Sequence, residues 1–276
     1  MIYMQKGFSL TEENEFKILS AGRPVQSEFN NDYFFKSSNK AGMVASEFLR
    51  LRFLREVAGK TVAEPYCVLH VIPKENHVSI VNDKVLLYFL ERWIEDPRDK
   101  GEVNGFYSIV MENLDKVGIE AEAIRKEALR SVLRSETGKK ERSKMIELLS
   151  KISATGISEK PINLDPEASA KLRRLLGGGG YEGVHERIFS EMKNALSKLH
   201  SKRVAHGDPH GMNVFITDDP DRPLILIDPS NYCWCSSPSC KHFDELRFFD
   251  NQYLKGYMRP FESEGWSSPF DPESPK

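Results

Sequence analysis

Apolar residues recur at helical spacing in two stretches of the chain and gather in short runs elsewhere. In residues 43–58, MVASEFLRLRFLREVA, the side chains of Ala45, Phe48, Leu49, Phe53, Leu54 and Val57 fall on one face, which predicts a helix ending at Gly59. Residues 184–202 repeat the pattern with Ile188, Met192, Ala195, Leu196 and Leu199, and close on the basic pair Lys202-Arg203. Short apolar runs at 16–20, 32–37, 66–72, 78–81 and 85–89 predict strands, with Lys36 at the end of the second. The composition of residues 21–24 predicts a turn between the first two. Two further strands, 214–217 and 224–227, flank the turn Asp218-Asp219-Pro220-Asp221. This order predicts an α+β chain with a small β-rich part over residues 1–95 and a larger, mainly helical part over 96–276.

At the start of the second part, residues 98–180 read as a helical insertion. It contains the charged, amphipathic stretches EAEAIRKEALRSVLRS and KKERSKMIELLSKI, broken near Thr137-Gly138, and ends in a run of four glycines that reads as a linker. The final stretch, 260–276, is rich in Pro, Ser and Glu and is expected to be poorly ordered.

Composition narrows the function classes. The 276 residues are 39% hydrophobic and 29% charged with a net charge of −2, which describes a globular chain with no electrostatic case for nucleic acid or an acidic membrane. No apolar run approaches the length of a spanning helix and the start has no apolar leader, so the expected compartment is the cytoplasm. Four cysteines are too few for a disulfide scaffold. Three of them cluster in Cys233-Trp-Cys235-Ser-Ser-Pro-Ser-Cys240-Lys-His242, where Cys233, Cys235, Cys240 and His242 read as a zinc site, as thiols with a redox or structural role, or as incidental thiols in an irregular loop.

The chemistry concentrates in His206-Gly-Asp-Pro-His-Gly-Met-Asn213 and in Asp228, fifteen residues further on. In-line phosphoryl transfer from Mg-ATP needs a carboxylate that orients an attacking hydroxyl and takes its proton, together with oxygen ligands for the metal. Asp208 suits the first role, and the Asn213 carboxamide and Asp228 carboxylate suit the second. A hairpin of the two strands would return Asp228 beside Asn213. Read blandly, Asp208 and Asn213 are turn formers and Asp228 a strand-end residue, which leaves their joint spacing unexplained.

From about residue 184 to 250 the chain resembles the protein-kinase-like superfamily, and within it the branch of aminoglycoside phosphotransferases, methylthioribose kinases and fructosamine kinases. Protein kinases usually carry Arg after the first His and Lys two residues after the Asp. Gly207 and His210 stand at those positions here, as in the small-molecule branch, and Asp228-Pro229 replaces Asp-Phe-Gly. Asp244 sits where that branch places another Asp at a helix start. The resemblance implies a two-lobed protein-kinase-like fold using ATP and Mg2+. It also implies Lys36 on the phosphates with Glu47 as its partner, in competition with Lys40 and Glu56. Gly22, with Ser20 and Ser27, would stand in a degenerate phosphate loop, and residues 90–94, including Glu91, would be the hinge against adenine. His210 would hydrogen-bond the loop or the phosphate, or simply pack, and His206 would be structural. The acceptor is then a small-molecule or protein hydroxyl. The absence of an Ala-Pro-Glu-like segment favours the small molecule, a compact protein serine/threonine kinase is the alternative, and a non-catalytic binding module is a third reading. The helices of 98–180 would be solvated or would shape an acceptor pocket.

Overall fold

In the computed structural model, residues 33–96, 104–124, 180–229 and 242–258 are described. The expected strand at 16–20, the loop residues Ser20, Gly22 and Ser27, most of the helical insertion, Cys233, Cys235, Cys240 and the tail 260–276 lie outside them. The chain is α+β and divides into two compact units: Met1–Val117 with Ile227–Trp234, and Gly118–Leu226 with Cys235–Lys276.

In the first unit, β1 (Tyr33–Ser38), β2 (Pro65–Ile72), β3 (His77–Ile80) and β4 (Phe106–Glu112) form one antiparallel sheet in the order β1-β4-β2-β3. Side chains alternate across it. Phe35, Leu69, Val71, Val78 and Val110 build a core on one face. Lys36, opposite Ile109 in the register, points to the other face. There α1 (Ala41–Ala58) packs through Val44, Ala45, Phe48, Leu51 and Leu54, all almost fully buried. Burying five such side chains is worth on the order of 5–10 kcal/mol before entropy is subtracted. Gly59 ends α1 at φ 64°, a conformation glycine adopts without a Cβ penalty.

One expected strand is a helix. Residues 85–89 lie inside α2 (Asp83–Glu95), as does the expected hinge 90–94. The apolar run Val85–Leu90 is too short for periodicity to separate strand from buried helix. The residues before it decide: the Asn82 side chain accepts from the Val85 amide at 3.1 Å, and Asp83 favours the positive end of the helix. Leu86 and Leu90 are then buried one turn apart, and Glu91 is exposed on the helix surface, so the hinge placement of Glu91 is corrected.

The sheet takes its remaining strand from β4, inside the stretch read as insertion, so the first unit extends past residue 95 to Val117. β4 has partners on both sides, and its turn needs Gly105: at φ 105° a Cβ there would come within 2.1 Å of the Val71 carbonyl oxygen.

The second unit carries a three-stranded antiparallel sheet, β5 (Gly118–Glu120), β6 (Val214–Thr217) and β7 (Leu224–Leu226), in that order. Residues 118–120, expected as the start of a helical stretch, are thus a strand, with helical backbone at 121–124. α3 (Gly180–Ser201) buries Ile188, Met192, Ala195, Leu196 and Leu199, the face its periodicity marks, and its first residue is the last glycine of the run. α4 (His242–Met258) packs on α3 and buries Phe243, Leu246 and Asp250. No helix among the described residues is long and apolar enough to cross a membrane.

Candidate functional site

Two sets of candidate residues are each drawn together, one in each unit. In the first, the Lys36 ammonium lies 2.8 Å from Glu47 Oε1 and 2.8 Å from Asp228 Oδ1. The short link from β1 into α1 makes the first contact possible. Lys36 leaves the strand on the face that α1 covers, and Glu47 stands in the second turn of that helix, 4% exposed among apolar neighbours. Lys40 and Glu56, the competing residues, are exposed. Asp228 has φ 49°, a left-handed conformation that Asp tolerates better than most residues.

Electrostatics bind this trio. Burial opposes the charge on Lys36, but the Glu47 and Asp228 carboxylates outweigh it and hold the ammonium above its ordinary value. Burial pushes Glu47 up to about 7, against the pull of Lys36 and with added repulsion from Asp228. Folding therefore retains a proton on Glu47 between its ordinary 4.5 and about 7, where the unfolded chain has lost it. Stability falls as pH rises across that window, by at most about 1.4 kcal/mol per pH unit from this group. Urea unfolding of Glu47→Gln at pH 5 and pH 7 is expected to lack this downward slope. An unchanged slope would show that another group titrates there.

In the second unit, the loop between α3 and β6 holds the other candidates. α3 ends by turning back on itself, the Val204 amide donating to the Leu199 carbonyl and Arg203 taking φ 54°. The loop is then fastened by a carboxylate the sequence reading did not single out. Asp250 of α4, fully buried, accepts from the His206 amide at 3.0 Å, from the Gly207 amide at 2.7 Å and pairs with His200 Nε2 at 2.8 Å. Gly207 meets it at φ 86°. The buried His206 ring accepts the Asp208 amide on Nδ1 at 3.3 Å, which gives that histidine its structural part. Asn213 Nδ2 donates to the Asp208 carbonyl at 2.9 Å, tying the two ends of the loop. His210 Nδ1 accepts the Met212 amide at 3.2 Å, while its Nε2 stays 3.8 Å from Asp208 Oδ2, beyond hydrogen-bond length. Gly211 is needed because a Cβ there would stand 2.8 Å from both Cβ and Oε2 of Glu122.

Asp208 itself is 40% exposed at its carboxylate, and its charge acts on the Tyr253 phenol. Tyr253, one turn after Asp250 on α4, has its phenol pushed up to about 12 by burial and by the Asp208 charge. Asp244, the acid expected to matter at the start of this helix, is exposed in its first turn, and the buried acid is Asp250. A signal for Asp250 existed: Phe243, Leu246 and Asp250 share one helical face, and an acid on an apolar face needs partners.

Comparison of the chain with protein-family models, with curated proteins and with solved structures found no match.

The metal chemistry available is limited. Among the described residues no group of three or more His, Cys, Asp or Glu side chains could hold an ion, and His242 lies 3.4 Å from Glu245. Mg2+ keeps several waters and takes further oxygens from phosphates, so it needs few protein ligands, and a carboxylate such as Asp228 or a carboxamide such as Asn213 has the chemistry to supply one. β6 and β7 pair with Val214 opposite Leu226, and Asp228 lies two residues beyond, in the stretch that belongs to the first unit.

Proposed function

We propose that this chain is an ATP- and Mg2+-dependent phosphotransferase of the protein-kinase-like kind, acting in the cytoplasm on the hydroxyl of a small molecule. The observation that carries the reading is the Lys36 ammonium held between Glu47 and Asp228. A buried acid that fixes a lysine, and an exposed-side acid that shares it, make a phosphate contact next to a metal ligand. Asp208, on a loop tied at Asp250 and Asn213, serves as the base. The acceptor oxygen forms its bond to the γ-phosphorus as the bond to the β,γ-bridging oxygen breaks. ADP leaves, and the acceptor's proton passes to Asp208 Oδ. Asn213 and Asp228 would each offer an oxygen to Mg2+, which would supply neutralising charge at the triphosphate. Lys36 orients the phosphates and Glu47 keeps its ammonium in place. The choice of a small acceptor rests on Gly207, His210 and Pro229.

Transfer from γ-labelled ATP to a panel of sugars, amino alcohols and generic protein substrates tests the reading. Asp228→Ala is expected to abolish transfer and to raise the Kd for Mg-ATP about tenfold or more, read by calorimetry. Transfer at near-normal rates in that variant would reject the assignment. Label on proteins alone would move the acceptor from small molecule to protein.

A further inference from the structure

We infer that His210 is a catalytic residue that touches the acceptor itself: its Nε2–H donates to the acceptor hydroxyl oxygen whose proton Asp208 takes. This role rests on the phosphotransferase reading for its chemistry and on the loop alone for its geometry. His210 Nδ1 accepts the Met212 amide at 3.2 Å, and a backbone N–H can only donate. Nδ1 therefore carries no proton. The ring is neutral, and its one proton stands on Nε2, the nitrogen that lies 3.8 Å from Asp208 Oδ2. The Met212 bond also excludes a plain ion pair with Asp208, because an imidazolium has protons on both nitrogens and accepts on neither.

The 3.8 Å gap suits an inserted oxygen. It is too long for a direct bond, yet an oxygen about 2.8 Å from both atoms closes it at nearly a right angle. A hydroxyl in that place has one proton and two lone pairs. It gives the proton to Oδ2, accepts Nε2–H on one lone pair and keeps the other for the γ-phosphorus. His210 gains and loses no proton in the step. It decides which lone pair is left to attack, and geometry of that kind is what a general base needs to be productive. Both side chains are open to a ligand, at 37% and 40% exposure.

A turn alone does not call for histidine at this place. Residue 210 caps the single turn Gly211–Asn213, and serine, aspartate or asparagine caps a turn at least as well. Aspartate would set a second negative charge against Asp208. Histidine differs from all three in capping with one ring nitrogen and offering a donor from the other. The cap also sets the ring, since turning it over would break the Met212 bond. The Tyr253 ring of α4 stands beside the imidazole, 6.2 Å away and inclined by 57°.

Two measurements on the full chain test this. His210→Asn keeps the cap, since the Asn side-chain oxygen accepts the Met212 amide, and removes the Nε2 donor. Its kcat/KM is read for transfer from γ-labelled ATP to the most active of the sugars, amino alcohols and proteins. The expected loss is about three- to tenfold, the size of one hydrogen bond, with the Kd for Mg-ATP and the melting temperature nearly unchanged. In the Asp208→Asn background the same change is expected to cost less than about twofold, because the two side chains act on one hydroxyl. An unchanged kcat/KM, an equal loss in both backgrounds, or a Kd or melting temperature that moves with it overturns the role. Independently of turnover, long-range 1H–15N spectra at about pH 8, with the His210 signals identified as those missing in His210→Asn, are expected to show a neutral ring protonated on Nε2. A proton on Nδ1, or an even mixture of the two tautomers, overturns the proposal. If the wild type transfers phosphate to no acceptor, the role falls with the reading it rests on. The tautomer still shows in that case whether the loop turns an Nε2–H towards Asp208, so the two failures are distinct.

Discussion

Asp208→Asn is expected to lower kcat by about two to four orders of magnitude and to leave the Kd for Mg-ATP within about twofold of wild type. The substitution is close to isosteric, so the ties that reach the Asp208 backbone, from its amide to His206 Nδ1 and from Asn213 Nδ2 to its carbonyl, have no reason to change. What disappears is the ability to hold the acceptor's proton once the oxygen–phosphorus bond forms. The groups assigned to the nucleotide, Lys36, Glu47 and Asp228, lie in the first unit and are untouched. Single-turnover transfer measured beside calorimetric nucleotide binding separates the two effects. A variant that transfers phosphate at near-normal rate would show that Asp208 is not the base. One that loses nucleotide binding together with transfer would place it among the nucleotide ligands instead.

The largest expected effect on stability is that of Asp250→Ala. Its carboxylate is fully buried and receives two backbone amides and the His200 imidazole, at 3.0, 2.7 and 2.8 Å. Truncation leaves these donors inside the unit with no acceptor. An unsatisfied buried polar group costs about 1–3 kcal/mol, and breaking a buried charged cluster from one side costs about 3–5 kcal/mol. The expected loss is about 3–5 kcal/mol, large against the 5–15 kcal/mol that a domain commonly has. Urea unfolding followed by circular dichroism reads it directly. A loss under about 1 kcal/mol would mean that the loop repacks without its anchor. Asp250→Asn offers a graded comparison, since its amide oxygen still accepts while its NH2 group faces donors.

The helices α1 and α3 were legible because their apolar positions repeat over four turns or more, and long periodic segments are the ones a sequence displays best. The short strands β1, β2, β3, β6 and β7 were legible because turn residues bracket them. α2 and β4 were not. In α2 the run Val85–Leu90 has no polar interruption to show its period, and only Asn82 before it signals a helix start. β4 begins after Gly105, whose role depends on the Val71 carbonyl lying against it, a contact between residues distant in the chain. Among the candidate residues, Lys36, Glu47 and Asp228 could be chosen from order and spacing, yet nothing local set Lys36 above Lys40. Strand alternation did so in three dimensions, by turning Lys36 to the face that α1 covers. Asp250 was missed for the opposite reason. Its partners are two backbone amides and the His200 ring, all more than forty residues earlier, and only the packing of α4 on α3 brings it there.

Gly207 carries a consequence for how likeness between chains is weighed. Its φ of 86° lies where residues with a Cβ are strained, and its amide makes the 2.7 Å bond to Asp250. His210 turns Nδ1 to the Met212 amide, a contact internal to its own turn. Both residues thus serve the path of the loop before any compound is bound. The letters at these two positions therefore report masonry as well as diet.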